Sequence, residues 1–388
     1  MRLLFMLKKI VIKNINSIKV CEIDFQKGNY KFAENNVLED LVNPIVIYGY
    51  NGSGKSAVMN AMQQFISLMI MPVEALTPFV VNNFLYEEYI SNKDESLIKG
   101  SIGLIFGIDS KKYEYFLETS RNNYISEEYL KADGELYFEN KNGKYIYKGK
   151  DYNFDNKRPS KLVPFLRVLA SSEITDPTIQ IVHTYIKYFT HVNVSYLTRG
   201  GFITSSIFNS ANTYDLLVSN SENVKKILKK YNTFPVYSIE KDNTLLPNGF
   251  IQSQYNLILE DNNFKKKLPY QMISTGMQNQ SILLSLLLSM TRDSVFFIDG
   301  FDMGIHPKTI EAFLDVIRKR KIQVVLTLHN TYPMQFLRPD QIYFAKWSQG
   351  FSSYYRLSKI YPNIREINNI EKMYLSTLFD RAINCNAK

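Results

Sequence analysis

Residues 44–56 read PIVIYGYNGSGKS, and this stretch decides the fold. Pro44 to Tyr48 is a short apolar run of the kind that forms a buried strand. It passes directly into GYNGSGKS, residues 49–56, which satisfies the pattern G-x-x-x-x-G-K-[ST] with a strand before it and a helix after it. Gly49, Gly52 and Gly54 let the backbone turn its N–H groups inward where a side chain would collide, and the helix N-terminus adds a field that favours negative charge. Asn51, Ser53 and Ala57 complete the stretch expected to line a phosphate chain. Lys55 is placed to reach the β- and γ-phosphates, and the Ser56 hydroxyl to sit on Mg²⁺. A bare glycine-rich turn is the bland alternative, and the flanking strand and helix speak against it.

Working outward, a helix from about Lys55 carries Val58, Met59, Met62, Phe65, Ile66 and Met69 at helical spacing, a stripe read as core packing. Ahead of the loop, 10–18 and 20–25 read as two alternating strands. From 97 to 150 short strands and tight turns predict a β-meander. Between about 151 and 265 the chain is mixed, with helical stretches at 175–189 and 223–231, and reads as an insertion or arm. A turn then enters a buried helix over 275–290. The apolar runs 294–299, 323–328 and 340–345 suit parallel core strands, with a helix at 309–319. The expected division is therefore 1–150, 151–265 and 266–388.

SVFFID, residues 294–299, is an apolar strand ending in an acid, as a strand must if its carboxylate is to hold Mg²⁺ and a water. Such strands are common alone; behind a phosphate loop and before GFDMGIHP, residues 300–307, Asp299 becomes a specific metal candidate.

Length and composition set the frame. The chain has 388 residues, 45% hydrophobic and 21% charged, with 27 Tyr and 25 Phe, enough for a large globular core. Cys21 and Cys385, at opposite ends, suggest neither a disulfide framework nor a zinc site, and a reducing cytoplasm is expected. The start has no signal-peptide pattern, and the longest apolar run, 281–290, is too short for a membrane span. A net charge of +9 leaves nucleic acid open as a partner, although scattered lysines read more simply as a solvated surface.

These residues resemble the ABC-type ATPases of the SMC and OLD-like kind, often labelled AAA ATPases in bacterial genomes and found among phage-defence proteins. The resemblance covers roughly 7–130 and 265–380. Within it, STGMQ, residues 274–278, resembles the signature motif, in which Ser274 and Gly276, with Gln278 beside them, would meet the γ-phosphate bound to a second protomer. Asp302 to Pro307 looks like the D-loop, and TLH, 327–329, is similar to the switch-histidine segment, with His329 sensing the γ-phosphate. LRPDQIYF, 337–344, and YLSTL, 374–378, resemble the family's C-terminal segment.

The resemblance implies an α/β fold: an ABC-type P-loop ATPase head with a β-meander lobe and an inserted helical or mixed arm. It implies ATP and Mg²⁺ as cofactors, and a homodimer or higher homo-oligomer closed through an ATP sandwich, with no membrane. Where the family has a catalytic glutamate after the acidic strand, this chain has Gly300, which implies slow hydrolysis unless Asp302 or His306 supplies the base. The resemblance does not place the base-stacking aromatic expected near the N-terminal strands, since Ile15 stands where this branch often has Phe. Asn82 and Asn83 are candidates for the Q-loop.

Relatives that act alone carry a Toprim nuclease, an anticodon nuclease or long coiled coils, and too few residues follow His329 for such a module. The expectation is therefore a switch that controls a separate effector, a nuclease or toxin, in anti-phage defence. A DNA-repair ATPase of the SMC-like recombination class is the alternative, and a transporter subunit is disfavoured.

Overall fold

The structure is a computed structural model that describes residues 5–81, 98–152, 160–172, 176–197, 203–206, 213–231, 236–248, 250–261, 264–292 and 294–380. Its centre is a set of five parallel strands, in the order Ile342–Ser348, Ile45–Tyr48, Gln323–Thr327, Val295–Asp299 and Phe189–Asn193. Ile45–Tyr48 and the next two strands, Gln323–Thr327 and Val295–Asp299, are buried along their whole length, because helices cover both faces of the sheet. That is why these segments read as unbroken apolar runs.

Helix Lys55–Ile70 covers one face together with Phe165–Ser171 and Pro177–Lys187. Helices Thr275–Ser289 and Pro307–Arg320 cover the other. Local chemistry sets these boundaries. Asp176 accepts hydrogen bonds from the Thr178 and Ile179 N–H groups, with Pro177 at the first helical position. His306 caps Pro307–Arg320 in the same way, and Lys321 ends that helix in the left-handed region at φ 56°.

Beyond Ile342–Ser348 the sheet continues through Phe351–Arg356, Ile18–Asp24 and Phe5–Ile15 into the meander. The meander strands are Lys99–Ile108, Lys111–Ser120, Tyr124–Ala132, Glu135–Lys141, Lys144–Tyr147 and Lys150–Asp151, each antiparallel to the next. The whole forms one sheet of 15 strands among the described residues, as an α/β fold with an antiparallel wing.

Of the middle region, Phe165–Ser171 and Pro177–Lys187 join the central layers and Phe189–Asn193 pairs in parallel with Val295–Asp299. Helices Thr213–Ser219 and Ser221–Lys230 pack on Thr275–Ser289. They are followed by a separate three-stranded antiparallel sheet, Tyr237–Leu245, Ile251–Asp261 and Phe264–Pro269, that leads into that helix.

Candidate functional site

The five parallel strands point their carboxyl ends at one edge, the edge where open α/β sheets bind ligands. Ile45–Tyr48 delivers the glycine-rich loop there. Gly49 lies at φ 153°, and a Cβ on it would stand 2.5 Å from both the Ala345 carbonyl oxygen and Ser53 Oγ. Gly54, at φ 98°, has no room either, since its Cβ would meet Ser352 Oγ at 2.0 Å. Gly52 is open but at φ 78°, so its need for glycine is conformational. Helix Lys55–Ile70 starts at Gly54 with no side chain capping its first N–H groups, which leaves a helix N-terminus available to an anion. The Lys55 ammonium, almost buried, is held by the carbonyl oxygens of Gly49 at 2.6 Å and Tyr50 at 2.9 Å. Burial lowers its pKa, and the nearby Asp299 and Asp302 carboxylates partly oppose that shift.

Asp299 closes the site from the next strand but one. Its Oδ1 accepts from Ser56 Oγ at 3.0 Å and from Thr327 Oγ1 at 2.6 Å, and Asn193 Nδ2 approaches Oδ2 at 3.4 Å. Four strands or helices thus converge on one carboxylate. A carboxylate and a hydroxyl in contact are hard oxygen donors, the kind Mg²⁺ takes while completing its shell with waters and phosphate oxygens. Among the described residues no cluster of three or more His, Cys, Asp or Glu is placed to hold a metal ion. The glycine cradle, the uncapped helix start and this donor pair all fit a nucleotide with Mg²⁺.

Gly300 follows Asp299 at φ 67° and donates its N–H to Thr327 Oγ1 at 2.7 Å. The chain turns tightly here, so this position is built for glycine and presents no side chain toward Asp299. Asp302, at the end of that turn, accepts the backbone N–H groups of His329 at 2.9 Å and Asn330 at 2.5 Å through Oδ2, while its buried Oδ1 has no partner. The His329 ring is exposed at the strand end. His306 is committed as a helix cap: its Nδ1 accepts from the Lys308 N–H.

The STGMQ segment lies at the start of Thr275–Ser289. Ser274 caps the helix, accepting from the Met277 N–H at 3.4 Å. Gly276 packs on the D-loop so closely that a Cβ would stand 2.1 Å from the Gly304 carbonyl oxygen, and Asn279 Nδ2 donates to the Met303 carbonyl at 3.1 Å. Gln278 turns inward instead, its amide donating to the Tyr270 and Ile273 carbonyls. Asn82 and Asn83 lie outside the described residues.

Three contributors escaped sequence reasoning as site residues. Asn193 comes from a strand far from any motif, Thr327 looks like strand packing until its hydroxyl is located, and Gly300 reads as a missing acid. The threonine had one signal: it directly precedes the Leu328-His329 pair.

Residues 45–332 match the protein family described as "AAA domain, putative AbiEii toxin, Type IV TA system". No curated protein matches the chain. Similar solved structures include an SMC head bound to the C-winged helix domain of ScpA, 14% identical, covering 91% of this chain and 98% of that one at a TM-score of 0.49. The SMC head domain from Thermotoga maritima is 12% identical, with coverage of 90% and 98% and a TM-score of 0.44. The ATP-bound recombination mediator protein RecF is 11% identical, with coverage of 91% and 100% and a TM-score of 0.40. The family match runs from the strand before the phosphate loop, through Asp299, to the segment after His329, and the chain therefore belongs to this AAA-domain family of P-loop ATPases.

Proposed function

We propose that this chain binds Mg-ATP at the 49–56 loop, hydrolyses it slowly, and acts as a nucleotide-driven switch between protomers. The observation that carries the reading is the convergence of Lys55, Ser56 and Asp299 at the carboxyl ends of the parallel strands, with Asp299 tied to Ser56 at 3.0 Å. Gly49 to Ala57 would cradle the phosphates, and Ser56 with Asp299 would hold the metal, which when bound neutralises charge on the transferred phosphoryl group. Thr327 and Asn193 orient the Asp299 carboxylate. Asp302 is the acid nearest the role that a glutamate would otherwise fill, and slow turnover follows because its Oδ2 already accepts two backbone N–H groups.

Ser274 and Gly276 sit exposed or half-exposed at a helix start and would meet the nucleotide of a second copy, as would the exposed His329 ring. A homodimer or higher homo-oligomer is the assembly this supports. Because the family's description names a toxin and a type IV toxin–antitoxin system, the closed state is proposed to control a separate effector, a nuclease or toxin, in defence against phage. A second reading, a DNA-binding repair ATPase, draws support from the net charge of +9; steeply salt-dependent DNA binding with DNA-stimulated turnover would favour it.

The test is calorimetric Mg-ATP binding, light scattering for mass, and phosphate release, with Lys55→Ala alongside. Tight binding, dimer formation on ATP and turnover well below 1 s⁻¹, about the low end for enzymes, are expected, all lost in Lys55→Ala. Failure of the wild-type chain to bind ATP overturns the proposal.

A further inference from the structure

The chain has a single tryptophan, Trp347, and it stands beside the phosphate loop. It occupies the carboxyl end of Ile342–Ser348, the strand next to the loop's own strand on the side away from Asp299. Its own strand and the strand paired with it both pack closely against the loop. The Ala345 carbonyl oxygen abuts Gly49, and Ser352, the cross-strand partner of Trp347, abuts Gly54 and shares a 2.7 Å hydrogen bond with Ser17.

In spite of this anchoring the indole is 53% exposed. An aromatic ring held on a fixed backbone with half its surface in water has packing left to make. Next to it opens a cavity of about 630 Å³, lined by Gly49 to Ser53, Ala345, Trp347 and the stacked rings of Phe344 and Tyr374, whose centroids are 5.1 Å apart. That volume lies within the range of small-ligand sites. Ile15, the residue on the first pair of strands that could have faced a base, is fully buried.

We propose that Trp347 is the base-positioning residue for the nucleoside half of the nucleotide: the purine base enters this cavity and stacks on the indole. The inference rests on the ATP-binding reading above. It follows from direction, because Asp299 and Ser56 mark the metal end of a nucleotide on one side of the loop and Trp347 lies on the opposite side. Stacking is tolerant of ring substituents, so ATP and GTP are both expected to use it.

Trp347 is also its own reporter. The full chain is titrated with Mg-ATP, Mg-GTP and Mg-tripolyphosphate while indole fluorescence and heat are both recorded. All three bind, and only the nucleotides quench or shift the emission. Trp347→Ala binds ATP roughly 5- to 150-fold more weakly and tripolyphosphate as the wild type does; Trp347→Phe recovers most of the loss. If ATP binds with unchanged emission and Trp347→Ala matches the wild type, the base lies elsewhere and the inference is overturned while ATP binding stands. If neither ATP nor tripolyphosphate binds, the underlying reading falls and takes this one with it.

Discussion

Asp302 accepts the backbone N–H of His329 at 2.9 Å across 27 residues of sequence. The turn after the acidic strand and the end of the neighbouring strand are therefore held as one piece. Gly276 extends that piece, since it rests on the carbonyl of Gly304 in the same turn. The start of Thr275–Ser289, Asp302 and His329 are thereby joined through packed backbone.

The turn itself depends on Gly300. At φ 67° an L-residue costs about 1–2 kcal/mol, and a Cβ would press on Met303 Sδ at 2.9 Å. Gly300→Glu is expected to lower the melting temperature by roughly 1–3 °C and to leave phosphate release no faster. A variant as stable as the wild type with faster turnover would show that the turn adapts and that the site simply lacks an acid.

Thr327 gives Asp299 its shortest hydrogen bond and accepts the Gly300 N–H. Thr327→Val keeps the shape and removes both, at a cost of roughly 1–3 kcal/mol, to be read from the urea midpoint. Mg-ATP affinity should fall as well, because the carboxylate loses its orientation. Thr327→Ser should retain most of both; equal stability of the valine variant would show that the hydroxyl is idle.

Arg338 is fully buried, with its guanidinium donating to the Gly28 and Phe32 carbonyls and to Asp340 and Glu34. Gln341 beside it donates to the Pro44 carbonyl at 2.7 Å, just ahead of the loop strand. Arg338→Ala leaves the buried Asp340 carboxylate without its guanidinium, with the Gly28 N–H still donating to it at 2.6 Å, and is expected to cost about 3 kcal/mol in chemical denaturation. A loss under 1 kcal/mol, roughly the scale of an exposed pair, would contradict this.

His191, buried with both ring nitrogens unpartnered, has its pKa pushed down to about 4 by burial; His183 is likewise lowered to about 4, by burial and then by Lys187 and Arg167. Folded histidines at 4 and unfolded ones at 6.5 mean that the unfolded chain binds more protons between those values. Their contribution is thus intact above pH 6.5 and is lost as the pH falls toward 4. His191→Leu should flatten this acid-side decline by roughly 1–3 kcal/mol, measured as the difference from wild type across the window. Identical slopes would show that His191 stays neutral in both states or finds a partner.

The parts of this molecule that could be read from sequence are those whose chemistry is contiguous. GYNGSGKS carries its glycines, lysine and hydroxyl within one turn, and Asp299 follows a run that could only be a buried strand. Phe189–Asn193 was harder, because its Thr190 and His191 break the apolar run even though both are buried. The strands over 237–269 were harder still: their outward faces are Lys, Glu and Asn, and they gain register only by pairing with each other. Gly300 carried a different lesson, since a residue chosen for backbone dihedrals looks, in one sequence, the same as a residue lost.

The 15-stranded sheet has one more consequence. The four-residue loop strand sits in its interior, hydrogen-bonded on both sides, with Asp299 to one side and the whole meander to the other. Its amides can exchange with solvent only when the sheet itself opens. A ligand that steadies the strand ends would therefore slow deuterium uptake in this strand and its two neighbours, at positions that never touch it.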